Sequence, residues 1–214
     1  SVDKEIDFKA AALVGCGVTT GVGAAIKTAS VEPGSTVAVF GCGGVGLNVI
    51  QGARIAGAAQ VIAVDLSKEK MEIAKTFGAT HTINPANPAH KEIKALTNGI
   101  GVDYAFEVVG SGKLVEACFK STRINGTTIL VGVGRAEDSF TINAMIMPFT
   151  GKTIKGSLYG NANFKVDFPM YLDLYKQGKL DLDRLITRTY SIDEAPEAFE
   201  DLESGKNTRG VIVY

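Results

Sequence analysis

The architecture of this chain is specified most clearly by residues 36–50, which read Thr36-Val37-Ala38-Val39-Phe40-Gly41-Cys42-Gly43-Gly44-Val45-Gly46-Leu47-Asn48-Val49-Ile50. A short run rich in β-branched residues leads directly into glycines at Gly41, Gly43 and Gly46, and an apolar pattern with helical spacing follows. This is G-x-G-x-x-G at a predicted strand-to-helix junction. The stretch therefore predicts a β-strand, a tight turn and an α-helix in direct succession.

The three glycines of this motif each omit a side chain for a different reason. Gly41 lets the chain turn off the strand, Gly43 lets the backbone approach a pyrophosphate, and Gly46 lets the helix pack closely on the sheet. The free N–H groups and the positive dipole end of the helix, which begins at Gly44 and Val45, then face the phosphates. Glycine-rich turns are common, so the motif indicates a dinucleotide site only where the neighbouring sequence also has the features of such a site.

The next predicted strand, residues 60–65, supplies that agreement because it ends in an acid. Asp65 lies 24 positions after Gly41, close to the spacing of about 20 expected for the carboxylate that binds an adenosine ribose. A carboxylate accepts hydrogen bonds from ribose hydroxyls and repels the 2′-phosphate of NADP. The next residue, Leu66, is not an arginine. The alternative is that Asp65 only caps the following helix. The combined pattern favours NAD.

The composition of the 214 residues is that of a globular protein, with 45% hydrophobic and 21% charged residues. The net charge of −1 gives no general attraction to nucleic acid or to an anionic membrane. No apolar run in the sequence reaches the roughly 20 residues that span a bilayer, and no secretory signal is visible. We therefore expect neither nucleic acid nor a membrane as a partner.

The three cysteines, Cys16, Cys42 and Cys118, are widely spaced and odd in number. They indicate reduced thiols and a cytoplasmic location rather than a disulfide framework. The chain begins with Ser1, which is consistent with processing or with a piece of a longer protein.

Strands and helices are predicted to alternate from residue 36 to residue 133. The predicted strands are 36–40, 60–65, 81–84, 102–108 and 127–133, and the predicted helices are 44–56, 68–77, 89–96 and 113–121. Repeated β-α units with mostly apolar strands are typical of a parallel sheet that is covered on both faces. The expected fold class is α/β, a doubly wound parallel sheet of the Rossmann type.

The two ends of the chain follow a different pattern. We expect a short helix over 8–14 that Gly15-Cys16-Gly17 breaks, and a second helix over 21–29 that Thr19 or Thr20 caps. After Gly134 the sequence predicts a polar loop, then an apolar stretch ended by Pro148. Further elements are predicted as a strand at 152–157, a helix at 166–176, a segment at 185–190, a helix at 194–203 and a strand at 210–214.

Several motifs together resemble the zinc-dependent medium-chain alcohol dehydrogenases. They are Gly15-Cys16-Gly17-Val18-Thr19-Thr20-Gly21, residues 33–47, Ala63-Val64-Asp65, Phe106-Glu107-Val108-Val109-Gly110, Gly151-Lys152-Thr153-Ile154-Lys155-Gly156 and Ser204-Gly205-Lys206. The resemblance runs along essentially the whole chain, but it covers only the C-terminal part of such an enzyme. It implies that residues 1–17 are the trailing segment of a catalytic domain and that 18–158 form the NAD-binding domain. Residues 159–214 are then a C-terminal segment in which the chain returns to the catalytic domain.

The resemblance also implies a catalytic zinc in the intact protein, with Cys16 as one of its ligands. A catalytic zinc takes three protein ligands and leaves one position for substrate. The family's other ligands are expected before residue 1, and one thiolate does not hold zinc by itself. Cys16 is therefore expected either to ligate zinc in the intact enzyme or to be a small, partly buried thiol.

Further roles follow from the resemblance one position at a time. Thr20, the catalytic-site candidate, and Val45 match residues beside the nicotinamide. Val131 and Val133 match positions whose backbone meets the carboxamide. The expected cofactor-binding residues are Gly41, Gly43, Gly44, Val45, Gly46, Asp65, Lys70, Val109, Val131, Val133 and Arg209. Lys70 would join Asp65 at the ribose, and Arg209 would pair with the pyrophosphate. Ser111 departs from the arginine of several relatives.

The expected function is hydride transfer between NAD and a small-molecule alcohol, giving an aldehyde or ketone, with zinc assistance in the intact protein. One alternative is a zinc-free medium-chain reductase of quinones or enoyl groups, against which Asp65 and Cys16 argue. Another is an NAD-binding module without catalysis of its own. Because the predicted strand at 152–157 resembles a family edge strand beside a twofold axis, a homodimer or homotetramer is expected.

Overall fold

A six-stranded parallel sheet forms the centre of the computed structural model, which describes residues 5–85, 88–205 and 207–214. The strands lie in the order β3-β2-β1-β4-β5-β6, and every neighbouring pair is parallel. Their bounds are β1 Thr36–Phe40, β2 Gln60–Val64, β3 His81–Ile83, β4 Val102–Glu107, β5 Thr122–Leu130 and β6 Thr153–Gly156. This order confirms the doubly wound fold, and its direction reverses between β1 and β4, where such sheets bind ligands.

Helices cover both faces of the sheet. The α-helices are α1 Phe8–Ala29, α2 Gly44–Ile55, α3 Lys68–Thr76, α4 Ala89–Leu96, α5 Gly112–Ser121, α6 Ile146–Thr150, α7 Phe164–Lys176 and α8 Ala195–Glu203, the last of which lies outside this sheet. Successive residues of β1 alternate between two buried clusters. Val37 and Val39 pack with α1, α2 and α7, whereas Ala38 and Phe40 pack with α4 and α5. Because both faces of β1 are buried, its sequence is apolar throughout.

The prediction of a break at Gly15-Cys16-Gly17 is wrong, because α1 runs without interruption from Phe8 to Ala29. The glycine segment lies in a widened π-helical turn, Val14–Val18, and a second π-helical stretch covers Ala24–Ala29. Thr19 does not cap a new helix. Its Oγ1 donates to the Val14 carbonyl at 2.6 Å inside the continuous helix. Burial of α1 in the core holds the helix together despite its low-propensity glycines.

The length of α1 bears on the expectation that no segment of the chain is long and apolar enough to span a membrane. At 22 residues it is long and apolar enough to cross a membrane by length and composition alone. However, 56% of its most apolar window is buried inside the fold. Val18 and Val22 are completely buried, and a methyl group added at Gly52 of α2 would lie 3.0 Å from the Val22 Cα. The packing therefore explains the apolar character of α1 as that of a core helix.

The fifth strand begins five residues earlier than predicted and ends at Leu130 rather than at residue 133. Ser121 ends α5, and Thr122 pairs with Val102 at once. The register then shifts before Thr127 pairs with Tyr104. Asn125 lies inside this irregular part with a φ of +59°. An asparagine tolerates that left-handed conformation, so residues between Thr122 and Thr127 leave the regular pairing while the strand continues.

A small parallel sheet near the C-terminus joins β7 (Ile186–Tyr190) and β8 (Arg209–Ile212). Between them, α8 begins after a capping box of Ser191 and Glu194 and contains Pro196 in its first turn. Lys206, part of one resemblance motif, lies outside the described residues. The apolar stretch before β6 forms the short helix α6, which includes Pro148. The division of the chain into domain segments after residues 17 and 158 stays a prediction.

Candidate functional site

The glycine turn between β1 and α2 needs glycine at two positions for different reasons. Gly41 has a φ of +101°, a conformation that favours glycine. At Gly46, a methyl group would fall far inside 3.0 Å of the Gly41 carbonyl oxygen, so the helix rests directly on the turn. A methyl group at Gly43 would meet nothing within 4 Å. The turn is therefore closed toward the sheet and open at Gly43.

The first turn of α2 presents unpaired backbone donors at this opening. Helix geometry leaves the N–H groups of Gly44, Val45 and Gly46 without intrahelical acceptors, and the first paired amide, Leu47 N, donates to Gly43 O at 2.9 Å. The positive end of the helix dipole lies at the same place. This arrangement attracts an anionic group such as a phosphate.

The Asp65 carboxylate points at the glycine turn. Its Oδ2 accepts a hydrogen bond from the Cys42 backbone N–H at 2.8 Å, and its Oδ1 accepts one from Ser67 N at 2.9 Å. The Ser67 side chain, rather than that of Asp65, caps α3 by accepting from Lys70 N. A carboxylate has about four acceptor positions. Half-buried Asp65 thus holds the turn in place and retains capacity for further hydrogen bonds.

A cavity of about 630 Å³ opens beside Asp65 at the carboxyl edge of the sheet. Lys70 and Val109 lie on its wall, and the remaining lining is largely apolar. Its lining includes Phe40, Gly41, Val64, Leu66, Pro85, Pro88, Ala89, Leu114 and Ala117. A pocket with apolar walls and a few convergent polar groups is typical of a small-molecule site.

Arg209, at the start of β8, extends its guanidinium over the opening of α2. Methyl groups placed at Gly44 or at Gly17 would both clash with this side chain. Arg209 therefore lies between the first turn of α2 and the π-helical turn of α1. The three positions are far apart in sequence, and the fold brings them together at the positive end of α2.

The predicted valines lie along the neighbouring edge of the sheet. Val109 contacts the turn, since a methyl group at Gly41 would lie 2.7 Å from its Cγ2. Val131 is buried and donates its N–H to the Glu107 carbonyl at 2.8 Å. The Val133 side chain is 90% exposed, and its carbonyl lies close to Gly110. The loops after β4 and β5 thus approach each other beside the glycine turn.

Glu107 organises these loops, a role that the sequence did not predict. Its side chain is only 1% exposed, and Oε1 accepts from the backbone N–H groups of Val109, Gly110 and Ser111 at 2.9, 2.8 and 3.3 Å. A methyl group at Gly132 would lie 2.7 Å from Oε2. The available signal was an acid at the end of an apolar strand, because such a carboxylate must find donors when it is buried.

The two remaining candidates of the hydride site, Thr20 and Cys16, lie on α1. Thr20 is half-buried next to Gly21, and a methyl group at Gly21 would lie 2.5 Å from the Val45 carbonyl oxygen. Thr20 and Val45 therefore flank the crossing of α1 and α2. Cys16 is exposed, one residue before the glycine that faces Arg209. Over residues 5–85, 88–205 and 207–214, no three His, Cys, Asp or Glu side chains converge as a metal site.

Thiol labelling is expected to distinguish Cys16 from the other two cysteines. At pH 8 the native chain should react with Ellman's reagent rapidly at one thiol, and at all three after unfolding. Burial, and then the nearby Asp65 charge, raise the pKa of Cys42 to about 12, and burial raises the pKa of Cys118 well above its usual value. Both therefore remain protonated thiols, which are poor nucleophiles.

The Cys16→Ser variant provides the control for this measurement. It should lose the rapid phase and keep the two thiols that react only after unfolding. Rapid labelling of Cys42 in the native chain would contradict the closed packing of the glycine turn.

Comparison with known proteins gives a consistent family. A sequence model of the zinc-binding dehydrogenases matches residues 44–177. The curated relative "alcohol dehydrogenase-like 1" from Arabidopsis thaliana is 42% identical over 216 residues, which cover 99% of this chain and 55% of the relative.

Solved structures agree closely with this fold. Benzyl alcohol dehydrogenase from Acinetobacter calcoaceticus superposes with a TM-score of 0.95 at 32% identity, covering 99% of this chain and 58% of that one. For 2R,3R-butanediol dehydrogenase from Bacillus subtilis the TM-score is 0.86 at 30% identity, covering 100% of this chain and 60% of that one. The chain thus spans a little over half the length of the relatives it matches.

Proposed function

Because this chain belongs to the zinc-binding dehydrogenase family, we propose that it binds NAD and forms the cofactor-binding part of an oxidoreductase that interconverts an alcohol and an aldehyde or ketone. The observation that carries the proposal is the Asp65 carboxylate, which is hydrogen-bonded to the glycine turn at the positive end of α2. An acid suited to a ribose and a helix end suited to a phosphate therefore lie side by side. The relatives named above are alcohol dehydrogenases, which supports the reaction class.

The pyrophosphate of NAD is assigned to the opening of α2. The N–H groups of Gly44, Val45 and Gly46 would donate to its oxygens, and the open space at Gly43 would let it approach the backbone. Arg209 would supply a planar, permanently charged donor from the opposite side. The residues present fit a pyrophosphate because the cradle is empty of side chains at Gly43 and positively charged at Arg209.

The adenosine half is assigned to the cavity beside Asp65. Asp65 would accept hydrogen bonds from the ribose hydroxyls, and Lys70, on the same cavity wall, would reach the same sugar. Val109 and the apolar wall would enclose the base. A 2′-phosphate would place a second negative charge against the Asp65 carboxylate, which favours NAD over NADP.

The nicotinamide half is assigned to the crossing of α1 and α2 and the loops after β4 and β5. Thr20 and Val45 would flank the ring, and the backbone at Val131 and Val133 would bind the carboxamide. The cofactor supplies the hydride acceptor, while the chain holds it against the site where an alcohol would lie. Glu107 contributes by holding the loop through Val109 to Ser111 in one conformation.

Zinc requires ligands beyond those that the described residues bring together. Cys16 is exposed and able to serve as one ligand, but a catalytic zinc takes three from the protein, and the described residues contain no such group. The donor set present therefore does not fit a complete zinc site, and no step of the chemistry is derived through the metal. Cys16 as a zinc ligand stays a proposal for the longer protein.

Calorimetric titration with NADH tests the proposed function. We expect one NADH site per chain, and the Lys70→Ala variant to bind NADH about fivefold more weakly because a cation beside the ribose is lost. Lys75→Ala is the matched control, since Lys75 lies on the same helix and pairs with Glu72 at the surface. No NADH binding by the folded chain, or equal losses in both variants, would contradict the proposal.

A further inference from the structure

Arg209, whose side chain reaches the opening of α2, lies at the start of β8, which pairs with β7. The Thr187 hydroxyl makes two hydrogen bonds across this pair of strands. Its Oγ1 accepts from the Thr208 N–H at 3.0 Å and donates to the Arg209 carbonyl at 3.4 Å. One exposed threonine therefore ties down the backbone of Arg209 and of the residue before it.

A buried polar group anchors the same segment from its other side. The Tyr190 hydroxyl donates to Asp201 Oδ2 at 2.8 Å and accepts from Asn207 Nδ2 at 2.9 Å. Asp201 lies on α8, is 4% exposed, and also accepts from Arg188 Nη1 at 2.7 Å. The Tyr190–Asp201 pair thus joins β7, α8 and the residues that lead into β8.

Part of this anchor lies beside the glycine turn. Thr187, Asn207 and Thr208 line a small cavity of about 100 Å³ that Gly43 and Lys70 also line. A long arginine side chain loses considerable conformational freedom when it is held at one place. A backbone that is already positioned lowers that loss, because fewer degrees of freedom remain to be ordered when a ligand binds.

We propose that Thr187 and the Tyr190–Asp201 pair are positioning residues for the Arg209 guanidinium at the pyrophosphate. The inference rests on the proposed function, because it assigns a task to Arg209 in dinucleotide binding. In this proposal the hydroxyl and carboxylate groups act through the position of the Arg209 side chain.

A double-mutant cycle measured by NADH calorimetry tests this dependence. The Tyr190→Phe variant should bind NADH about fivefold more weakly, since it loses the hydroxyl at the centre of the anchor. Arg209→Gln should bind NADH about thirtyfold more weakly, because it loses a charge-assisted contact to the phosphate. In the Arg209→Gln background, Tyr190→Phe should have no further effect on NADH binding, because no guanidinium remains to be positioned.

Thr187→Val provides a second variant at an exposed position, where folding is not endangered, and it should show the same dependence on Arg209. Thr189→Val is the matched control, since Thr189 is an exposed threonine on the same strand. Losses that multiply in the double variants would overturn the inference and leave the proposed function standing. Wild-type chain that binds no NADH would instead overturn the proposed function itself.

Discussion

The substitution Gly46→Ala is expected to lower the free energy of unfolding by about 3 kcal/mol or more, because overpacking against rigid backbone is strongly destabilising. The added methyl group would fall far inside 3.0 Å of the Gly41 carbonyl oxygen, and no flexible side chain is available there to move aside. To relieve the clash, the start of α2 would have to lift off the turn after β1. Urea denaturation followed by circular dichroism measures the loss.

Gly43→Ala is the matched variant, and it separates stability from binding. Gly43 has a φ of −75°, which alanine adopts readily, and its added methyl group would meet nothing within 4 Å. The free energy of unfolding should therefore change by less than about 0.5 kcal/mol, as for other unstrained surface positions. NADH binding should weaken by about 100-fold, since the methyl group would occupy the proposed approach of the pyrophosphate. Equal stability for both variants, or unchanged NADH binding in Gly43→Ala, would contradict this description.

The sequence predicted the sheet well because each central strand is buried on both faces. Val37 to Phe40 alternate between two separate clusters, so the entire strand must be apolar, and Pro33-Gly34 before it and Gly41 after it mark its ends. The helices between these strands were also predicted, at 44–56, 68–77, 89–96 and 113–121. Most of these ends lie where they were predicted or one residue away, within the usual uncertainty of helix and strand ends, and the exception is β5.

The sequence was least informative where burial overrides local propensity. Gly15 and Gly17 predict an interruption, yet α1 continues through them as a π-helical turn, because its neighbouring valines are completely buried. The strand predicted from residue 127 begins instead at Thr122 and continues through an irregular part that contains Asn125. In both cases the interactions that decide the outcome come from residues distant in sequence, which local patterns do not contain.

In the candidate site, too, some features were predicted from the sequence and others were not. Motif spacing identified Asp65, but not its hydrogen bonds to Cys42 and Ser67. The tasks of the buried Glu107 and Asp201 carboxylates were not predicted, although Glu107 holds the loop after β4 and Asp201 joins α8 to β7. The spacing of residues along the chain indicates where a residue lies within its own helix or strand. Which backbone donors meet its carboxylate depends on the approach of other elements.

Substitution of Asp65 is expected to have the second large effect, on both NADH binding and stability. Asp65→Ala should weaken NADH binding by about 100-fold, because the ribose hydroxyls lose a charged acceptor and the turn loses a partner. The same variant should be less stable by about 1–2 kcal/mol, since the Cys42 and Ser67 N–H groups lose their acceptors. Calorimetry with NADH and NADPH, together with urea denaturation, measures both effects on one preparation.

Asp65→Asn separates the two tasks of this side chain. It retains one acceptor oxygen and the shape of the side chain, so it should keep most of the stability while NADH binding weakens by about tenfold. Its neutral amide no longer repels a 2′-phosphate, so NADPH should bind more tightly to this variant than to the wild type. If NADPH binding is unchanged and NADH binding is retained, Asp65 serves the turn alone and the ribose lies elsewhere. If instead the preference moves toward NADPH, then a single carboxylate both shapes the glycine turn and selects the cofactor.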